Sequence, residues 1–218
     1  ASYVNGLKEG SFESWYKNKQ ASSYVEMKQG MIDGKKVEWF ENGQLKIEEN
    51  YTNNALDGKY KTWYENGNIS SIGLYKEGQK HGFFKKWNSD NVLVFSCEYV
   101  NNKPHGVLEK WYNDKQLMQR KLYVQGIPDG LEIEYYPNGQ KKLEVSYKKG
   151  LIEGNRHVWF ENGSLQIQQH FTKGKAEGNH TEYFAGSESD NSHLILNKFN
   201  YKDGKYHLEQ RSYHPNGK

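Results

Sequence analysis

The stretch Asp57-Gly58-Lys59-Tyr60-Lys61-Thr62-Trp63-Tyr64-Glu65-Asn66-Gly67 decides how this chain is read. An aromatic pair stands directly before a Glu-Asn-Gly turn signal, and an aliphatic residue, Ile69, follows it. Asn-Gly between two alternating, aromatic-rich segments is a strong short-range signal for a β-hairpin. The same frame recurs across the chain. Gly10, Gly34, Gly58, Gly82, Gly106, Gly130, Gly154 and Gly178 are each 24 residues apart, and Gly204 follows after 26. Five residues after each of the first eight comes Trp15, Trp39, Trp63, Trp87, Trp111, Tyr135, Trp159 or Tyr183. Seventeen after come Met27, Tyr51, Tyr75, Tyr99, Tyr123, Tyr147 and Phe171. A fixed period of this length marks a repeat architecture.

Composition agrees. Aromatics make up 15% of the 218 residues while all hydrophobics reach only 34%. A hairpin array has no deep core, so cross-strand aromatic pairs carry its stability, each by about 0.2–1 kcal/mol. The aromatic content excludes a disordered chain. No apolar run approaches the roughly 20 residues of a helical membrane span. The single Cys97 excludes a disulfide scaffold. A net charge of +3 is too small to argue for a nucleic-acid partner.

No sustained helical period is present, so the expected fold is all-β: an elongated, twisted antiparallel meander of about eight tandem 24-residue hairpins in one array over residues 1–218. About sixteen strands at roughly 4.8 Å each would span roughly 75–80 Å. The register of each hairpin has two readings. A two-residue type I′ loop at Asn42-Gly43 puts Phe40 beside Leu45 and is preferred, because its face collects more apolar residues. A three-residue loop with a bulge puts Trp39 there instead. The frame glycine reads as part of the reversal between hairpins. The turn signal is degraded at Asn18-Lys19, Asp90-Asn91, Asp114-Lys115 and Gly186-Ser187. Extra residues between Ala185 and Asn197 read as a polar loop. Both ends fall inside a repeat: Tyr3 and Gly6 fit a return strand, and Tyr213-His214-Pro215-Asn216-Gly217 fits an aromatic pair and turn.

The pattern Asp-Gly-x4-Trp-Tyr/Phe-x-Asn-Gly-x-Leu closely resembles the variant MORN repeat of bacteria, over practically the whole chain. The resemblance implies a β-hairpin array used as a protein-interaction module. It also implies a bacterial protein, exported or surface-associated in some members and antitoxin-like in others, and it transfers no catalytic residue.

The search for chemistry finds no His-Glu-x-x-His, phosphate loop, dinucleotide fingerprint or nucleophile elbow. His81 and His105 occupy the frame position of Asp33 and Asp57, where a turn-capping role is expected ahead of metal ligation. Cys97 reads as a small strand residue. Sequons at Asn50, Asn68, Asn162 and Asn179 fit chance in an Asn- and Ser-rich chain. No cofactor, metal or catalytic residue is expected. The recurring Trp and Tyr residues read as scaffold. Partner-binding residues should lie where units differ, and the candidates are Lys61, Lys85, Lys86, Lys110, Arg120, Arg156 and His157. The leading expectation is a non-enzymatic scaffold for another protein. An antitoxin that masks one toxin and a glycan binder using the Trp row are the alternatives. End-to-end self-association through unpaired edge strands is a further expectation.

Overall fold

The computed structural model describes residues 2–113, 115–185, 195–207 and 211–212. The polar loop expected at Ser187–Ser192 and the terminal Tyr213–Gly217 motif lie outside the described residues. The described chain is all-β, and every ladder between consecutive strands is antiparallel.

The contacts divide the chain into two compact units. The first runs to His105 and includes Asn113 and Lys115. Its strands are β1 (Ser2–Val4), β2 (Leu7–Trp15), β3 (Ala21–Lys28), β4 (Met31–Trp39), β5 (Leu45–Thr52), β6 (Ala55–Trp63), β7 (Ile69–Lys76), β8 (Gln79–Lys80), β9 (Gly82–Trp87) and β10 (Leu93–Val100). The second holds Gly106–Tyr112 and the described residues from Gln116 onward. Its strands are β11 (Lys103–Trp111, from Gly106), β12 (Leu117–Val124), β13 (Ile127–Tyr135), β14 (Lys141–Lys148), β15 (Leu151–Trp159), β16 (Leu165–Thr172), β17 (Lys175–Ala176), β18 (Gly178–Tyr183), β19 (Ile195–Lys202), β20 (Lys205–Tyr206) and β21 (Arg211–Ser212). Within each unit the strands form a meander of hairpins.

The hairpin register is the three-residue one. Trp39 pairs with Leu45, Trp63 with Ile69 and Trp159 with Leu165. Phe40 N–H donates to Gln44 O at 2.8 Å and Gly43 N–H to Phe40 O at 2.9 Å. This is a turn over Phe40–Gly43 closed by a bulge at Gly43, whose φ is +84°. The expected placement of Phe40 beside Leu45 is therefore corrected. Asn42 has no positive φ; its side chain explains its presence. Asn42 Oδ1 accepts from Gln44 N–H at 2.9 Å, and Asn42 Nδ2 donates to Glu65 O in the next hairpin at 2.9 Å. Asn18, Asn66 and Asn138 make the same two bonds. Three of the degraded turns keep the positive φ, with Lys19 at +69°, Asn91 at +61° and Lys115 at +73° in the glycine's place; Gly186-Ser187 lies outside the described residues.

The two-residue turn sits at the opposite end of each hairpin. Asn53 and Asn54 have φ of +50° and +66°, and Thr52 pairs with Ala55 across them. These are the two positive values of a type I′ turn. The frame glycine belongs to neither turn. Gly58 lies inside β6 at φ +114°, in a bulge between the pairs Tyr51–Leu56 and Glu49–Tyr60. At Gly130, φ is +120° and an added Cβ would come within 2.6 Å of Leu122 Cδ2. A non-glycine residue is disfavoured there both by the backbone conformation and by space.

Successive hairpins are stitched at both ends. The hydroxyls of Tyr16, Tyr64, Tyr112 and Tyr136 donate to the carbonyls of Trp39, Trp87, Tyr135 and Trp159 at 2.7–2.9 Å. At the other end, Asn54, Gly78, Gly150 and Gly174 donate N–H groups to Ile32, Leu56, Pro128 and Ile152. The acidic residue before the frame glycine caps the next turn: Glu9 accepts from Gln29 N–H at 2.8 Å and Glu153 from Lys173 N–H at 2.7 Å. The turn-capping role expected at this frame position is met there by glutamates.

Candidate functional site

Strand alternation gives each unit two unlike faces. One carries the recurring tyrosines and the other the tryptophans.

The tyrosine face holds most of what is buried. Its central row in the first unit runs Phe12, Val25, Lys36, Glu49, Tyr60, Gly73, Phe84 and Cys97. Phe84 is 4% exposed and makes edge contacts with Tyr75 and Tyr99 at 5.3 and 5.4 Å. Gly73 lies under the Phe84 ring, where an added Cβ would clash with it. Burial pushes the Cys97 thiol up, away from the reactive thiolate. In the second unit the row runs Leu108, Lys121, Glu132, Val145, Arg156 and Gln169. Lys121 Nζ lies 2.8 Å from Glu132 Oε2 and 4.5 Å from the centre of the Tyr147 ring. Gln119 Nε2 donates to Glu132 Oε1 at 2.7 Å. Burial pulls the Lys121 ammonium down, but the hydrogen bond and charge of Glu132 more than offset it, so its pKa is raised. Arg156 donates to Gln169 Oε1 at 2.7 Å, and Gln169 Nε2 contacts His180 Nδ1. These polar groups satisfy one another within the row, as buried charges must. Arg156, a candidate for partner binding, is engaged in this row.

The tryptophan face is wetter. Each tryptophan pairs with an aliphatic residue on the adjacent strand, and successive tryptophans lie two strands apart, roughly 9.6 Å at ordinary strand spacing. Trp39, Trp63 and Trp159 are half-buried this way, and Trp15, opposite the small Ala21, is exposed. The rings form an interleaved row with leucine and isoleucine.

The other candidates divide between faces. Lys61 and Lys85 lie on the tryptophan face of the first unit, both in register with Ile72. Arg120 and His157 lie on the same face of the second unit, separated by Ile133 and Glu144 along the row. Lys86 and Lys110 are exposed on the tyrosine face. The structure thus brings Lys61 and Lys85 together around one aliphatic residue and leaves the others apart.

Sequence reasoning missed the apolar residues between these charges. In the second unit Val107, Leu122 and Leu131 are 36%, 36% and 46% exposed. With Ile133 and Arg120 they line a shallow depression of about 260 Å³. Arg120 Nε meets Glu109 Oε1 at 3.6 Å on its flank. In the first unit Leu74 and Phe83 are exposed on the same face. The signal was available: one residue after the frame glycine, where other units carry Ser11, Lys35, Lys59 or Asn155, three successive units carry Phe83, Val107 and Leu131. Among the described residues, no group of three or more His, Cys, Asp or Glu is placed to hold a metal ion.

Comparison with known families fits this geometry. The family profile described as MORN repeat variant matches residues 32–53, 56–77 and 128–149. The chain carries MORN-variant repeats. Each matched segment is one hairpin: β4–β5, β6–β7 and β13–β14. All three matched MORN hairpins have an intact Asn-Gly turn, at Asn42-Gly43, Asn66-Gly67 and Asn138-Gly139. No curated protein matches the chain.

Proposed function

We propose that this MORN-repeat chain is a non-enzymatic scaffold that binds another protein on its tryptophan face. The observation that carries the reading is the aliphatic cluster of exposed Val107, Leu122 and Leu131 around the half-buried Ile133. The chain has a mean hydropathy of −1.06. A contiguous apolar patch rimmed by charge on so polar a surface fits a protein-docking surface. The tyrosine face supports the reading from the other side, because its charged groups are spent on one another and hold the sheet.

The test compares the immobilised wild-type chain with Leu122→Glu and Leu131→Glu. Proteins retained by the wild type are purified and titrated against all three chains by calorimetry. Binding weakened by about tenfold or more in both variants, with unchanged melting temperature, is the expected result. A partner that binds both variants as tightly as the wild type overturns the assignment of this face.

A further inference from the structure

On the tryptophan face of the first unit, three neighbouring lysines lie without an acidic partner among the described residues. Several other cations on the tryptophan faces meet carboxylates. In the first unit Lys35 Nζ lies 3.4 Å from Glu48; in the second, Arg120 meets Glu109 and Lys141 Nζ lies 2.6 Å from Glu144. Lys59, Lys61 and Lys85 have no ion pair among the described residues. Glu48, which faces Lys61 across β5 and β6, is already engaged by Lys35. The remaining neighbours are apolar or neutral: Lys59 pairs with Leu74, Lys61 with Ile72, and Lys85 with Ile72 and Ser96. Phe83, 60% exposed, lies two residues from Lys85 on the same strand and face. It is in register with Glu98, the carboxylate at the border of the cluster. Exposed Phe83 and Leu74 are thus bordered by three unpaired ammonium groups.

We propose that this cluster docks an acidic protein segment bearing an aromatic or aliphatic anchor. The inference rests on the reading of the tryptophan face as a docking surface and names the chemistry of one partner for it. Charge complementarity selects the occupant: three unpaired lysines favour carboxylates and repel basic segments. Leu74, Ile72 and Phe83 supply an apolar floor that burying only polar groups would not use. A nucleic-acid strand fits less well, because Phe83 is the one exposed ring in the cluster and strand binding uses successive stacking platforms.

The test uses the full chain and short fluorescein-labelled peptides in four kinds: acidic with Phe and Leu, acidic without them, basic with them, and neutral with them. Fluorescence anisotropy is expected to show binding of the acidic-apolar peptide alone, weakening as salt is raised. Lys61→Glu with Lys85→Glu should weaken it by about tenfold or more. Phe83→Ser should weaken it while leaving the salt dependence in place. Equal binding of the acidic peptide lacking Phe and Leu overturns the proposal, as does no binding by any peptide. Stronger binding of single-stranded DNA or of phosphatidylserine vesicles, lost in the lysine variants, reassigns the cluster and also overturns it. Leu131→Glu separates the two readings. If it abolishes capture of the partner in the preceding test while the peptide result fails, the docking face stands and only the acidic partner falls.

Discussion

Phe83 and Phe84 are neighbours in β9 and point to opposite faces. Phe84 is 4% exposed, set on Gly73 between two tyrosines; Phe83 is 60% exposed beside unpaired lysines. The same residue type, one position apart, holds the sheet together on one side and offers itself to solvent on the other. The contrast extends along each unit. Among the described residues, seven of the nine that are buried (Glu49, Phe84, Cys97, Leu108, Glu132, Val145 and His180, which continues the row beyond Gln169) belong to the central row of the tyrosine face. A sheet with one layer has no second layer to bury against, so one face is covered by its own long side chains and the other is left available.

The sharpest way to break this comparison is to truncate both phenylalanines. Phe84→Ala should cost about 3–5 kcal/mol in urea denaturation. Phe83→Ala should stay within about 0.5 kcal/mol. Similar losses for both would remove the distinction between faces.

Next in size is the ion pair of the tyrosine face. Glu132→Ala leaves the half-buried Lys121 without its partner and should cost about 2–4 kcal/mol, somewhat less than a fully buried pair because Lys121 keeps some water. Arg120→Ala, which breaks the exposed pair with Glu109 on the tryptophan face, should cost less than about 0.5 kcal/mol. The chemical-denaturation midpoints of the two variants measure the difference.

The same asymmetry predicts alkaline lability. Burial raises the phenols of Tyr75 and Tyr147 on the tyrosine face, and burial followed by a hydrogen bond with Tyr206 pushes Tyr201 up to about 12. Lys121 is raised as well. A raised folded-state pKa contributes stability that is complete below the unfolded value and is lost as pH climbs through the folded one. Melting temperature should therefore fall from about pH 10 upward, where unfolded tyrosine begins to ionise. Glu132→Gln should blunt that part of the loss which comes from Lys121. A flat melting temperature across this range would contradict the placement of these groups.

A loss of one hydrogen bond is expected at the hairpin ends, where neither face dominates. Tyr136→Phe removes one hydroxyl bond to Trp159 O and should cost about 1 kcal/mol. Phe160 already lacks the hydroxyl at the equivalent place, so Phe160→Ala should report packing alone. Thermal melts of the single variants separate the two contributions.

Much of the fold was legible because a repeat states its own evidence many times. The 24-residue period, the antiparallel hairpins and the aromatic pairs follow from spacing and composition. The turns were misassigned because glycine after asparagine serves two geometries. A type I′ turn and a bulged three-residue loop both need a positive φ at Gly43. What separates them is the Asn42 amide reaching Glu65 in the next hairpin, a contact between repeats. The frame glycine was misplaced for a related reason. Gly58 looks like a turn residue, but its positive φ bends a strand, and only pairing with β5 shows this. The candidate surface was half legible. Lys61 and Lys85 stand out by charge, whereas Phe83, Leu122 and Leu131 are not singled out, because an apolar strand residue reads alike on either face until the register is known.

The sequence alone determined that this protein is a string of β-hairpins stabilised by aromatics and carrying MORN-variant repeats. A period of fixed length with alternating residues admits little else. Only the tertiary structure decided which side chains are buried. Alternation says that neighbours oppose each other, but the side on which each row lies depends on the bulges at the frame glycines and turn glycines. Those bulges put Phe84 against Gly73 and left Phe83 and the lysines facing outward.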